Sequence, residues 1–190
     1  MKRPAVFLDR DGTINEQMGY INHITRFKLL PGVRRGVQAL NEKGFLTIVV
    51  SNQSGVARGF FPIDLVEQVN SRMKHLMAER GARLDAIYYC PHHPHGSVDA
   101  YSIPCKCRKP RTGLLEKACQ DFQIDLRNSF VIGDTSTDIV MASRFGLKGI
   151  LVKTGYGLGE AEYVLPTIDV KPIHIADDLL DAAMWILNSS

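Results

Sequence analysis

With 190 residues and 45% hydrophobic content, the chain is long enough to bury a full core, and it is expected to form one domain over residues 1–190. A net charge of +3 is too mild to single out nucleic acid as a partner, and no apolar run approaches the ~20 residues that span a bilayer. Two basic residues open the chain, but Asp9 interrupts the apolar run a signal peptide would need, so a cytoplasmic protein is expected.

Ala5 to Leu8 is a short apolar run that reads as a buried strand, and Gly12 turns the chain after it. Asp9 and Asp11 therefore stand where the strand gives out. Asp-Gly is by itself a common turn pair. Residues 12–31 show no clear period and read as a flap able to reach over the strand end. Val33, Val37 and Leu40 have helical spacing within 32–43, stopped by Gly44. Phe45 to Val50 is β-branched and apolar, a second buried strand, followed by Ser51, Asn52, Gln53, Ser54 and Gly55.

Pro62 suits the first turn of a helix running to about Arg80, with Val66, Val69, Met73 and Leu76 on its apolar side. Ala86 to Tyr89 reads as a third strand that leads into a Cys/His-rich loop over 90–109. A helix is expected over 114–122, a fourth strand over 129–133 ending at Asp134, and a short helix over 138–145 closed by Gly146. Lys148 to Val152 reads as a fifth strand, 154–159 as a Gly-rich turn, and 175–187 as a last helix around Ile175, Leu179, Ala183 and Ile186. Strands alternating with helices predict an α/β three-layer sandwich of Rossmann type, with a mainly parallel sheet covered on both faces. No segment has the length for a separate cap domain.

In a parallel sheet the strand ends share one rim, so Asp9, Asp11, Ser51, Lys109 and Asp134 are expected to converge. Phosphoryl transfer needs such a set: a nucleophile, a divalent cation, and donors for the spectator oxygens. In the loop, Cys90 and His92 face Cys105 and Cys107 across twelve residues, a closed ligand set suited to structural Zn2+. His93 and His95 compete with His92, which is preferred because its spacing from Cys90 mirrors the second pair. The zinc would clamp a loop with little means of its own to stay ordered. Cys119 reads as a buried structural thiol.

The stretches "DRDGT", "VVSNQSG", "CRKP" and "IGDTSTD" occur in this order, each at an expected strand or loop end. Together they resemble the four motifs of the haloacid dehalogenase-like (HAD) phosphatases, which use Mg2+ and an aspartate nucleophile. That resemblance implies that Asp9 takes up the phosphoryl group. Asp11 would act as general acid and base, with a carboxyl raised above its ordinary pKa. It also implies Mg2+ held by Asp9, the carbonyl of Asp11 and Asp134, with phosphate contacts from Ser51, Asn52 and Lys109. Asp138 would hold Lys109 or the metal waters from behind.

The longer run "CPHHPHGSVDAYSIPCKCRKP" is similar to the zinc-loop branch of that superfamily, which contains heptose 1,7-bisphosphate and histidinol-phosphate phosphatases. The length of the loop and Arg108 point to the heptose side, hence to removal of a C7 phosphate in nucleotide-activated heptose or lipopolysaccharide-core synthesis. Substrate contacts are then implied for Gln17, Met18, Gly19, Tyr20, Gln53, Ser54, Arg108 and Thr135. Two positions depart from the pattern: Thr135 replaces a lysine, and Gln17 replaces an acid. The expected partner is a small phosphorylated sugar, with no nucleic acid or membrane, acted on by a monomer. A nucleic-acid 3′-phosphatase would want a basic, aromatic groove, and a non-catalytic zinc module would have no use for the five converging residues.

Overall fold

Strand β1 (Ala5–Leu8) has all four side chains buried, and they divide between two cores. Successive side chains of a strand point to opposite faces. Val6 and Leu8 accordingly enter one apolar cluster, while Ala5 and Phe7 enter the other. A strand buried on both faces has to be covered by helices on both. In this computed structural model, which describes residues 2–189, β1 pairs in parallel with β2 (Leu46–Asn52) and β4 (Phe130–Gly133). Outside them lie β3 (Ala86–Cys90), then β5 (Lys148–Val152) and β6 (His174–Ala176) on the far side, in the order β3-β2-β1-β4-β5-β6. All pairings are parallel.

Helices α1 (Val33–Glu42), α2 (Ile63–Ala78) and a last helix (Leu179–Ser189) cover the Val6/Leu8 face through Val37, Leu40, Val69, Met73, Ala183 and Ile186. Helices α3 (Gly113–Asp121) and α4 (Ser136–Phe145) cover the Phe7 face through Leu114, Leu115, Met141 and Ala142. The α/β sandwich read from the alternation of elements is therefore the observed one. Strand order reverses between β1 and β4, and ligands of open α/β sheets bind in the crevice at such a switch point. That crevice lies directly beyond Leu8 and Gly133.

The expected last helix over 175–187 is corrected. His174–Ala176 is a sixth strand, paired in parallel with Ile150 to Val152, and the helix starts only at Leu179. Ile175 stands four residues before Leu179 and so imitates a helical stripe, but it is a partly exposed edge-strand residue. The helix start is set locally: Asp178 Oδ1 accepts from Asp181 N at 2.9 Å, and Asp181 Oδ2 accepts from Asp177 N at 3.0 Å. The first bond satisfies a donor that the helix start leaves open, and the second ties the residue ahead of the cap to the same turn.

Helix α4 also starts earlier than its apolar spacing suggests, at Ser136. Its first N–H donates to Glu160 Oε2 at 2.8 Å, from a run of helical turns over 157–167 that follows the Gly-rich turn. In the flap, Ile14, Ile21 and Phe27 are buried in the first core, while Gly19, Tyr20 and the polar residues Asn22, His23, Thr25 and Arg26 stand clear of it. The 90–109 loop has anchors that its composition does not suggest: Ser97 N and Val98 N both donate to Ala57 O, at 2.7 and 2.9 Å.

Candidate active site

The chain continues β1 by one residue, since Asp9 N donates to Ile132 O at 2.9 Å, and then turns at Gly12 with φ +89°. The turn brings the Gly12 Cα against the carboxylate of Asp134, which follows β4. A Cβ at Gly12 would lie 2.1 Å from Asp134 Oδ2, and one at Gly155 would lie equally close. Asp134 is thus walled in by two bare α-carbons. Tyr156 N donates to its Oδ2 at 2.9 Å, while its buried Oδ1 has no hydrogen-bond partner among the described residues.

Lys109 reaches the same place from the far end of the Cys/His loop, with its side chain 3% exposed. Its Nζ donates to Asp9 Oδ1 at 2.6 Å, Asp138 Oδ1 at 2.7 Å and Val50 O at 3.1 Å, using all three ammonium hydrogens. Asp138 is completely buried and also accepts from Thr135 Oγ1 at 2.7 Å. Burial alone would lower the lysine, but Asp138 and Asp9 outweigh it and keep the ammonium charged. Burial pushes Asp9 up to about 6 against the pull of Lys109, and pushes Asp134 up to about 8 with the help of the Asp9 charge. Among the described residues, Asp9, Asp11, Asp134 and Asp138 are balanced by only two buried cations, Lys109 and Arg10. The pocket is short of positive charge.

Asp11 corrects one expectation. Burial works to raise its pKa, as anticipated, but the adjacent Arg10 guanidinium and hydrogen bonds from Asn15 and Gln53 hold it below its ordinary value. Nothing in an alternating motif announces that the residue between two aspartates folds back onto the second one.

Asp9, Asp11, Ser51, Lys109 and Asp134 line one cavity of about 370 Å³, together with Gln17, Gly19, Tyr20, Gln53, Ser54, Arg108 and Thr135. Ser51 Oγ accepts from Gln53 Nε2 at 2.8 Å. Met18 lies between Gln17 and Gly19 without lining the cavity. Asn52 lines it, but its carboxamide is engaged by the Lys109 main chain: Oδ1 accepts from Lys109 N at 3.0 Å and Nδ2 donates to Lys109 O at 3.3 Å. Its side chain thereby holds the lysine main chain, with the second N–H of Nδ2 left over. Tyr20 closes one side, with its ring edge-on to Phe60 at 4.8 Å. Tyr156, Thr137 and Ile21 complete the lining. Thr137 falls within the stretch "IGDTSTD" but was given no role there, and Tyr156 and Ile21 belong to no motif or stripe that singles them out.

The ligand atoms of Cys90, His92, Cys105 and Cys107 all lie within 4.8 Å of one another. Cys90 Sγ is 3.0 Å from Cys107 Sγ and 3.4 Å from Cys105 Sγ, and His92 Nδ1 is 3.3 Å from Cys107 Sγ. His93 and His95 are turned elsewhere: His93 Nε2 meets Arg58 Nη2 at 3.0 Å, and His93 Nδ1 accepts from His95 N. Cys119 is only partly buried, at the edge of the second core. Arg108 leaves the cluster toward the cavity, with Nη1 3.5 Å from His92 O.

A family model described as HAD-hydrolase-like matches residues 106–182. The chain is 44% identical over 192 residues to the D-glycero-D-manno-heptose-1,7-bisphosphate 7-phosphatase of Thermosynechococcus vestitus, covering 98% of this chain and 96% of that protein. It is 41% identical to the D-glycero-beta-D-manno-heptose-1,7-bisphosphate 7-phosphatase of Escherichia coli K12, over 98% and 89% of the two chains. Among solved structures, the D,D-heptose 1,7-bisphosphate phosphatase of B. bronchiseptica, complexed with magnesium and phosphate, superposes with a TM-score of 0.85 at 28% identity over the whole of both chains. This chain belongs to the heptose-1,7-bisphosphate 7-phosphatase family of HAD-like hydrolases.

Proposed function

We propose that this chain, acting as one unit in the cytoplasm, hydrolyses the C7 phosphate of D-glycero-D-manno-heptose 1,7-bisphosphate in the synthesis of nucleotide-activated heptose. The observation that carries the proposal is the position of Asp9: next to Lys109 at 2.6 Å and in one cavity with Asp11, Ser51 and Asp134. Relatives of about 40% identity named for this reaction support the choice of substrate.

The donor set fits a magnesium ion. Asp134 keeps a buried oxygen without a partner among the described residues, and the pocket carries an excess of carboxylates, which a bound cation would relieve. Asp138 lies within reach of the same point, but both its oxygens are engaged, by Lys109 and Thr135. That leaves Asp9 and Asp134 to hold the ion, joined by the carbonyl of Asp11 as the family resemblance implies. When bound, Mg2+ screens the charge between carboxylate and phosphate. The Cys90, His92, Cys105 and Cys107 set fits structural Zn2+, with three thiols and one imidazole and no position left for water.

The protein groups carry the rest. Asp9 attacks phosphorus, the bond to the sugar oxygen breaks, and Asp11, which must first take up a proton against the pull of Arg10, gives that oxygen its proton, leaving a phosphoryl group on Asp9. Water then attacks the same phosphorus, Asp11 takes its proton, and the bond to Asp9 breaks. Ser51 donates to a spectator oxygen, and the Lys109 ammonium, held by Asp9, Asp138 and the Val50 carbonyl, supplies positive charge beside the phosphoryl group. Arg108, with its planar fork, is the group for the second phosphate or the sugar hydroxyls.

The test is phosphate release in Mg2+ from heptose 1,7-bisphosphate and from histidinol phosphate, with phosphorus NMR reporting which phosphate leaves. A large preference for the bisphosphate at C7 is expected. Preference for histidinol phosphate would overturn the substrate and keep the chemistry.

A further inference from the structure

Arg10 is among the largest fully buried side chains of the protein, 2% exposed, and it sits between the two aspartates of the strand end. Its Nη2 donates to Asp11 Oδ2 at 2.8 Å and Oδ1 at 3.0 Å, and its Nε lies 3.3 Å from Oδ1. Asp11 is its one carboxylate partner among the described residues. Burying a guanidinium is costly unless its geometry is well satisfied. Here that group is spent on a residue which, in the proposed reaction, moves protons.

The remaining contacts work in the same direction. Gln53 Oε1 accepts from Arg10 Nη2 at 2.9 Å, and Gln53 Nε2 donates to Asp11 Oδ2 at 2.7 Å, so the carboxamide joins guanidinium and carboxylate. Asn15 Nδ2 donates to Asp11 Oδ1 at 2.9 Å from the other side. Behind Arg10, Asn70 Oδ1 lies 3.4 Å from Nη1. Asn70 is a buried residue of α2, a helix locked into the core by Val69 and Met73. A carboxyl group turns about two side-chain bonds, and a fork on both oxygens removes that freedom.

We propose that Arg10 is the positioning residue of Asp11. It fixes the plane of the carboxyl so that the edge facing the cavity meets the leaving oxygen, and α2 fixes Arg10 in turn through Asn70. The inference rests on the phosphatase reading above, though not on which sugar is bound.

The two halves of the reaction make this testable. In the first half, the phosphorus–oxygen bond to the leaving group breaks and Asp11 supplies a proton only if the departing oxygen needs one. A sugar alkoxide needs it. A 4-nitrophenolate leaves without it. In the second half, Asp11 removes a proton from water whatever the first substrate was. The ratio kcat/KM reports only the steps through release of the leaving group.

The experiment compares kcat/KM of wild type, Arg10→Gln, Arg10→Lys and Asn70→Leu on heptose 1,7-bisphosphate and on 4-nitrophenyl phosphate, in Mg2+. Arg10→Gln is expected to lose about 100-fold on the sugar ester and less than about 3-fold on the aryl ester, the range set by general acid catalysis. Arg10→Lys falls between, since an ammonium cannot fork. With the aryl ester, Arg10→Gln should also give a burst of nitrophenol, and intact mass should show one added phosphoryl group. Equal losses on both esters, or no loss on either, would overturn the inference, because a merely structural role moves the two together. If the Arg10 variants do not fold, Asn70→Leu decides, with the same selective loss on a smaller scale expected. Wild type inert toward both esters would sink the phosphatase reading and this inference with it.

Discussion

At the end of β1 the protein holds like charges close together, and at the end of β3 it holds thiols close together. The first group is fixed by direct hydrogen bonds inside a sheet crevice: Lys109 between two carboxylates, Asp134 between two glycine backbones. The second is held from its rim: Cys90 ends β3, Ala57 O accepts from Ser97 N and Val98 N, Lys106 O accepts from Gly113 N, and the sulfur atoms approach to 3.0 Å. The difference is one of dependence. The carboxylate site is held by the fold's own hydrogen bonds, whereas an ion held by Cys90, His92, Cys105 and Cys107 would add directly to the stability of the fold. Substitutions at β1 should therefore remove chemistry and leave structure, and substitutions at the loop should do the reverse.

Asp9→Asn is the largest effect expected and the cleanest test of that division. It removes the nucleophile and should lower kcat by about 10⁴-fold or more. Burial disfavours the Asp9 charge, so an isosteric neutral group should fold at least as well. Circular dichroism and thermal melting beside the activity assay would expose the prediction: an Asp9→Asn variant that melted far below wild type would mean the site also holds the fold together. Lys109→Met should damage both. It leaves Asp9 and Asp138 buried without their shared cation, at a cost of about 3–5 kcal/mol, which urea titration reads directly.

The loop gives the converse. Cys107→Ser should lower the melting temperature by roughly 5–10 °C, from the loss of about 3 kcal/mol. It should raise KM through Arg108 more than it lowers kcat. Chelation of wild type should reproduce the shift, and chelation of the variant should add little to it. His92→Ala should reduce zinc per chain, while His93→Ala and His95→Ala should not, since their rings meet Arg58 and each other instead. Zinc bound normally by His92→Ala would show that the ligand set has been misassigned.

The same contrast explains what could be read from the chain. Asp9, Asp11, Ser51 and Asp134 are legible because each ends an apolar run, and parallel strands share a rim. The Cys/His set is legible because its residue types and spacing are rare together. Arg10 was not. A charged residue between two strand-end aspartates looks like a solvated side chain, and only the chain's return through Gln53 and Asn70 shows why it is buried. Gly155 and Tyr156 were not either, because their meaning is a contact with Asp134, some twenty residues away across the crevice. His174–Ala176 escaped because three residues on a sheet edge carry no period of their own, and Ile175 fell by chance on the helical phase of the Leu179–Ser189 helix.

Metal affinity should follow the orphaned oxygen. Mg2+ is expected to raise the melting temperature of wild type by a few degrees, by mass action on the folded state. Asp134→Asn should abolish that shift. Asp138→Asn should keep most of it, because Asp138 is already committed to Lys109 and Thr135. Isothermal titration with Mg2+ alone separates the two variants without any substrate. Equal loss in both would place Asp138 among the ligands and demote it from its hold on the lysine.

The smallest effect belongs to Thr135, where the family resemblance places a lysine. Its hydroxyl donates to Asp138 Oδ2 and meets Thr137 Oγ1 at 2.7 Å, while the residue lines the same cavity as Arg108. Thr135→Lys gives up that bond, at about 1 kcal/mol, and returns a cation to the rim. If the second phosphate of the substrate lies there, KM for the bisphosphate should fall about 3- to 10-fold, with KM for a heptose 7-monophosphate unchanged. A fall for both substrates would mean the new lysine reaches the phosphoryl group being transferred. No change for either would put the second phosphate on Arg108 alone. Specificity for the bisphosphate would then rest on the zinc loop, so the rise in KM predicted for Cys107→Ser should be confined to the bisphosphate.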